Sequence, residues 1–318
     1  MSTIDATTTG RAASRPVAGR RSRRKWLELG LFVLPALALY AVFVLYPIAK
    51  AAQYSLYAWN GIEDLTDFVG LDNYRRAFED EAFRGAIVHN AIIVVLSLVV
   101  QFPLALGVAL LLNQPLRGRS IFRLIFFAPF VLAEAIAAVL WLLMLQPDGL
   151  VDRSFQAVGL GGLVQLWLAD TEIVLFTLFV VITWKYIGFG IILFLAGLQG
   201  VPRELDEAAA IDGATAFQRL RYVTLPLLGP TIRIWAFLAI IGSIQLFDVI
   251  WIMTDGGPAD ASNTMATYMI DWSFKRFQFG YASAVAVIML VISLVFALIW
   301  QRFVLRRDID GALTTMGQ

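Results

Sequence analysis

The sequence predicts an all-α integral membrane protein with six transmembrane helices. Three observations carry that reading. The chain is 59% hydrophobic and only 15% charged, with a mean hydropathy of +0.74; a soluble domain is nearer half apolar and a quarter charged. The excess gathers in blocks of roughly 20 residues, the length needed to cross a ~30 Å hydrocarbon core. The ~10-residue alternating segments of a membrane β-barrel are missing.

Residues 1–26 are rich in Ser, Thr, Ala, Gly and Arg and have no apolar period, which predicts a disordered basic tail. "SRRKWLE" (Ser22 to Glu28) resembles a twin-arginine export signal and "AKA" (Ala49 to Ala51) a cleavage site. The apolar run between them exceeds the roughly 7–15 residues of a signal core, and further spans follow, so the first block is read as a retained span. The predicted spans are 27–49, 88–112, 121–145, 172–197, 232–254 and 282–304, within a permease-like domain of 27–305. Pro35, Pro47, Pro103 and Pro129 fall in or at the ends of these blocks. A membrane tolerates them where neighbours satisfy the freed carbonyls. Residues 306–318 form a short second tail.

With the N-terminus inside, 17 Lys and Arg fall on the inner side and 7 on the outer, with Lys185 inside a span. That bias predicts both termini in the cytoplasm. The chain has no cysteine, which excludes disulfides, iron–sulfur clusters and Cys zinc sites. Its one histidine, His89, cannot build a multi-His metal centre; beside Asn90 at the start of span two, it reads as interfacial.

Between spans four and five lies an unusual polar stretch, about residues 200–226. Pro202 suits a first helical position. "RELDEAAAID" follows, with Glu204, Asp206 and Glu207 near the positive end of the helix dipole. Gly213 suits a left-handed stop. Thr215 and Gln218 fit a capping box that starts a second helix, which "LP" (Leu225, Pro226) should end. On the first helix Glu204, Glu207 and Ile211 share one face; Leu205, Ala208, Ala209 and Asp212 share another. A surface helix lying on lipid would carry Lys and Arg on its polar face. This one is mostly acidic, which suits a basic protein partner better.

Glu207-Ala208-Ala209, three residues, Gly213, nine residues, then Val223 and Leu225-Pro226 match the signature of binding-protein-dependent ABC importer permeases. "FVGLDNYRRAF" (Phe68 to Phe78), "FDVIWIMTDGGP" (Phe247 to Pro258) and "FGYASAVAV" (Phe279 to Val287) resemble the carbohydrate-uptake branch, and "GLDNY" the first of its two permease subunits. The resemblance covers roughly residues 27–305. It implies a type I ABC importer permease fold in the bacterial cytoplasmic (inner) membrane. It also implies a coupling helix that docks on an ABC ATPase dimer through Glu204, Glu207, Ala208, Ala209, Asp212, Gly213, Leu225 and Pro226. The further implied partners are a second six-span permease, an extracytoplasmic solute-binding protein and a carbohydrate solute; nucleic acid is not among them. No Gly-Lys pair exists in the chain, so there is no P-loop. ATP and Mg²⁺ would belong to the partner ATPase, this chain holding no cofactor and no metal and having no catalytic residues. The solute would be of the di- or oligosaccharide kind, moved by alternating access, with glycerol 3-phosphate or a polyol as the alternative.

Ionisable groups inside spans are costly and mark candidate functional positions. Here they are Glu134, Lys185 and Asp248. Glu134 and Lys185 could equally pair with each other or with another polar group in the bundle. Gln245 lies one turn before Asp248. Trp184, Tyr186, Trp251 and Trp141 are candidate sugar-stacking groups, although Trp141 and Trp251 lie where aromatic residues anchor at the membrane interface. A gradient-driven secondary transporter, with Glu134 and Asp248 titrating, is the reading from another class. The six-span length and the lack of an inverted repeat speak against it.

Overall fold

The computed structural model describes residues 20–115 and 117–305. The sequence readings of residues 1–19 and 306–318 as tails lie outside the described residues. Every regular element among the described residues is helical; the only extended pairing is an isolated bridge between Tyr57 and Phe68. The chain divides into two units, residues 1–50 and 51–318. The first is a helical rod that already runs at Arg20, ahead of the predicted edge at 27.

Four helices are long and apolar enough to cross a membrane without interruption: Gly30–Tyr54, Glu81–Asn113, Val174–Gln199 and Phe279–Val304. The second has 33 residues, about 50 Å at 1.5 Å per residue, so it extends well beyond a ~30 Å core. The other two predicted spans are not single straight helices. The third consists of Arg119–Val131 and Glu134–Met144, bent by 98°. The fifth runs as Gly229–Ile244, is bent by 70° from the Ala216–Leu227 helix before it, and restarts after Gln245–Phe247 as Asp248–Met253. Neither gap holds Gly or Pro. Buried polar side chains from other elements take the freed carbonyls instead.

Three prolines are accommodated by one device. The backbone turns at Ala41–Leu45, Ser97–Gln101 and Leu220–Thr224 are wide, with i→i+5 hydrogen bonds, and each ends two residues before Pro47, Pro103 or Pro226. A proline lacks the N–H for its own i−4 bond and its ring crowds that carbonyl. A wider turn just ahead gives the carbonyl another donor and moves it off the ring. The helix that carries Pro226 ends one residue beyond it, at Leu227.

The Val174–Gln199 helix is the hub. A Cβ on Gly188 would stand 2.1 Å from the carbonyl oxygen of Phe126, so only glycine permits this approach of the Arg119–Val131 half-helix. Toward one end, Ile191, Phe194, Leu195 and Leu198 pack with Ala105, Ala109 and Trp235. Toward the other, Leu178, Val181 and Ile182 pack with Ala138, Val249 and Ile250. The second cluster seats the half-helices Glu134–Met144 and Asp248–Met253 together on the hub. A third cluster, around Phe83, Met265, Tyr268, Tyr281 and Val285, joins the start of the second span to the last one.

Candidate functional site

Two places collect the residues that the sequence singles out. The first is the pair of helix breaks. Glu134 is the first residue of one restarted half-helix and Asp248 the first of the other. Their carboxyl groups face each other within hydrogen-bonding reach. The Tyr186 hydroxyl donates to Glu134 Oε1. Lys185, 2% exposed, points the other way. Its ammonium donates to the carbonyl oxygens of Pro129 (3.1 Å), Phe130 (2.9 Å) and Leu132 (2.7 Å). An ammonium has three protons to give, and these three bonds take all of them.

Asn90 serves the other break. It is buried, donates to the carbonyl of Ser243 at 2.7 Å, and accepts from Met265 N–H at 2.9 Å. Thr264 Oγ1 donates to Leu246 O at 2.9 Å. These bonds satisfy helix ends that lipid could not. The reading of His89 and Asn90 as the start of the second span is therefore corrected. The helix starts at Glu81, Asn90 lies in the interior, and His89 Nδ1 contacts Asn263 O at 2.9 Å. One sequence signal could have found Asn90: an amide inside an apolar run.

Beside the breaks lies a cavity of about 300 Å³ lined by Phe130, Tyr186, Phe189 and Trp235, with Ser97 and Gln101 supplying polar groups. Tyr186 is the one sequence-selected residue that lines it and also touches the acid pair. Gln245 and Asp248 are exposed in the single chain. Trp184 packs edge-on to Trp141, centroids 5.5 Å apart, and lies away from this cavity. Trp251 stacks on Phe247 at 5.5 Å, with the Lys275 ammonium 4.5 Å over its ring. Lys275 also meets Asp255 at 2.5 Å, which raises the pKa of its ammonium above the usual lysine value.

The second place is the charged loop. Its first helix is Arg203–Ile211, with Pro202 one position earlier than predicted, as the N-cap. Gly213 has φ +83°, the left-handed stop that the sequence requires. The capping box forms: Thr215 N–H donates to Gln218 Oε1 at 2.7 Å, and Gln218 N–H to Thr215 Oγ1 at 3.3 Å. The second helix then runs from Ala216 to Leu227. An ion pair unforeseen in the sequence, Arg219 to Asp206 at 2.7 Å, ties the two helices. Glu204, Glu207, Ala208 and Asp212 are exposed. So are the apolar side chains of Ile211 (87%) and Phe217 (73%). Leu225 and Pro226 lie at the base, where the helix turns into the fifth span.

Bent apolar helices packed around a cavity, with a preformed charged helix-turn-helix between the fourth and fifth spans, define a multi-pass membrane permease. Residues 101–308 match the family model described as "binding-protein-dependent transport system inner membrane component", and the chain belongs to that family. It is 33% identical over 278 residues to the lactose transport system permease protein LacF of Rhizobium radiobacter, covering 86% of this chain and 93% of that one. It is 32% identical over 315 residues to the diacetylchitobiose uptake system permease protein NgcF of Streptomyces coelicolor, covering 92% and 89%. Among solved structures, a bacterial ABC transporter involved in importing the acidic polysaccharide alginate shares the fold. Its TM-score is 0.77 at 24% identity, over 90% of this chain and 98% of that one.

Proposed function

We propose that this chain is one of two permease subunits of an ATP-driven importer for a neutral carbohydrate of the di- or oligosaccharide kind. An extracytoplasmic binding protein delivers the solute. The observation that carries the importer reading is the loop at 203–227. It is ordered by its own caps and ion pair, yet exposes Glu207, Ile211 and Phe217. Ordering in advance lowers the cost of docking. An acidic face with apolar knobs fits a basic-rimmed cleft on an ATPase. Glu204, Glu207, Ala208, Ala209 and Asp212 would meet that cleft, and Gly213 would let the chain turn in it.

The relatives named for lactose, diacetylchitobiose and other sugars support a carbohydrate solute. The passage supports a neutral one. The cavity's polar lining is Ser97, Gln101, Tyr186 and Ser243, the acid pair adjoins it at Tyr186, and the Lys185 ammonium is wholly taken up by carbonyls. A sugar phosphate would want a bidentate cation, so glycerol 3-phosphate is the weaker alternative and a polyol the closer one. Transport would proceed by alternating access, as ATP and the loaded binding protein favour the same one of two rigid-body states. By the Lys and Arg bias, the loop and both termini face the cytoplasm of a bacterial inner membrane.

Affinity purification of the tagged full chain from its native membrane, followed by mass spectrometry, tests this. An ATPase and a second six-span permease should accompany it. A chain that emerges alone or as a homo-oligomer would contradict the importer reading.

A further inference from the structure

A lysine ammonium near the middle of a membrane helix is costly to bury. Freed carbonyls at a helix break can be met more cheaply by a hydroxyl or a water. The cost of Lys185 therefore needs a reason. Its three acceptors belong to the end of the Arg119–Val131 half-helix and to Leu132, where the helix dipole is negative and favours a cation. The next half-helix begins two residues beyond Leu132, at Glu134. Tyr186, the immediate neighbour of Lys185, holds the Glu134 carboxyl. Two consecutive residues of one straight helix thus grip the two sides of a 98° break. Gly188, three residues on, lets that helix come close enough for the grip.

We propose that Lys185 is a positioning residue of the solute passage. Its ammonium, spent on the carbonyls of Pro129, Phe130 and Leu132, sets the break that presents Glu134 to Tyr186 and Asp248, and it makes no contact with the solute. This rests on the reading of the Glu134–Asp248 pair as part of the passage. A lysine that gripped an anionic solute would have protons free for it; this one has none.

The chain has no cysteine, so label on this chain, separated from its partners on a denaturing gel, reports a single introduced thiol. Ala137, buried in the half-helix that Glu134 starts, is the reporter, and exposed Gln156 is the control. Ala137→Cys and Gln156→Cys are labelled with N-ethylmaleimide in the purified full complex, without solute or ATP, in three backgrounds: parent, Lys185→Met and Lys185→Arg. Three buried carbonyls without donors should loosen the break locally, so Lys185→Met should speed labelling of the protected Ala137→Cys about tenfold or more. Lys185→Arg, which keeps both donors and charge, should stay within about twofold of the parent. Gln156→Cys should react alike in all three. Parent-like labelling of Ala137→Cys in Lys185→Met overturns the proposal, as does an Arg variant that behaves like Met. If Lys185→Met does not assemble, the Arg variant decides alone by the same threshold. The labelling needs no transport. Absence of an ATPase from the complex would therefore sink the importer reading and leave this result standing.

Discussion

Asp206 and Arg219 meet at 2.7 Å across the turn at Gly213, so the two short helices of the charged loop form one piece. Force applied at Glu207 can then reach the fifth span through the Ala216–Leu227 helix, whose far end bends by 70° into that span. Both partners are partly exposed, so the pair should contribute no more than about 1 kcal/mol to stability. Its effect should appear in coupling. Asp206→Arg and Arg219→Asp singly should each reduce uptake per ATP hydrolysed, and the double swap should recover much of it. Additive losses in the swap, measured in proteoliposomes, would rule the strut out.

Glu207 is exposed on the first loop helix. Glu207→Arg should abolish uptake while the chain still reaches the membrane, because a cation would face the basic cleft. Uptake counts paired with membrane immunoblots check both halves. Normal uptake would remove Glu207 from the docking face.

Asp248 touches Glu134 and is exposed in the single chain. Asp248→Ala should lower transport more than it lowers recovery of the assembled complex. Equal losses would make Asp248 a packing residue.

Asn90 joins the second span to both the end of Gly229–Ile244 and the start of Met265–Ile270. Asn90→Leu leaves a buried carbonyl and a buried N–H unpaired, each costing roughly 1–3 kcal/mol. The expected result is a clear drop in the Tm of the detergent-solubilised complex. Asn90→Asp keeps the acceptor for Met265 N–H but sets a buried carboxylate oxygen against the Ser243 carbonyl, and should lower the Tm as well. An unchanged Tm for Asn90→Leu would mean that the break is satisfied in another way.

Much of this was legible from residue types alone. The apolar blocks, the Gly213 stop and the Thr215–Gln218 box are local, and local chemistry decided them. The two helix breaks were not legible. "VLAE" at 131–134 and "QLFD" at 245–248 carry no Gly or Pro, and both continue an apolar run. What opens the chain there is distant: Lys185 for one, Asn90 and Thr264 for the other. Hydrophobic periodicity cannot see a partner many residues away. The same limit hid the Glu134–Asp248 contact, although each acid stood out singly as an ionisable group in a span.

The docking of the loop on an ATPase is the central claim, and a cross-link tests it most directly. Ala214 sits beside Gly213, and a single Ala214→Cys in this cysteine-free chain can be joined by a short bifunctional maleimide to a cysteine-bearing partner ATPase in the intact complex. The account predicts one product that contains this chain and the ATPase, lost when Glu207→Arg is added. An intact complex that yields no such product, while Gln156→Cys or another distant site links to the ATPase instead, would contradict it.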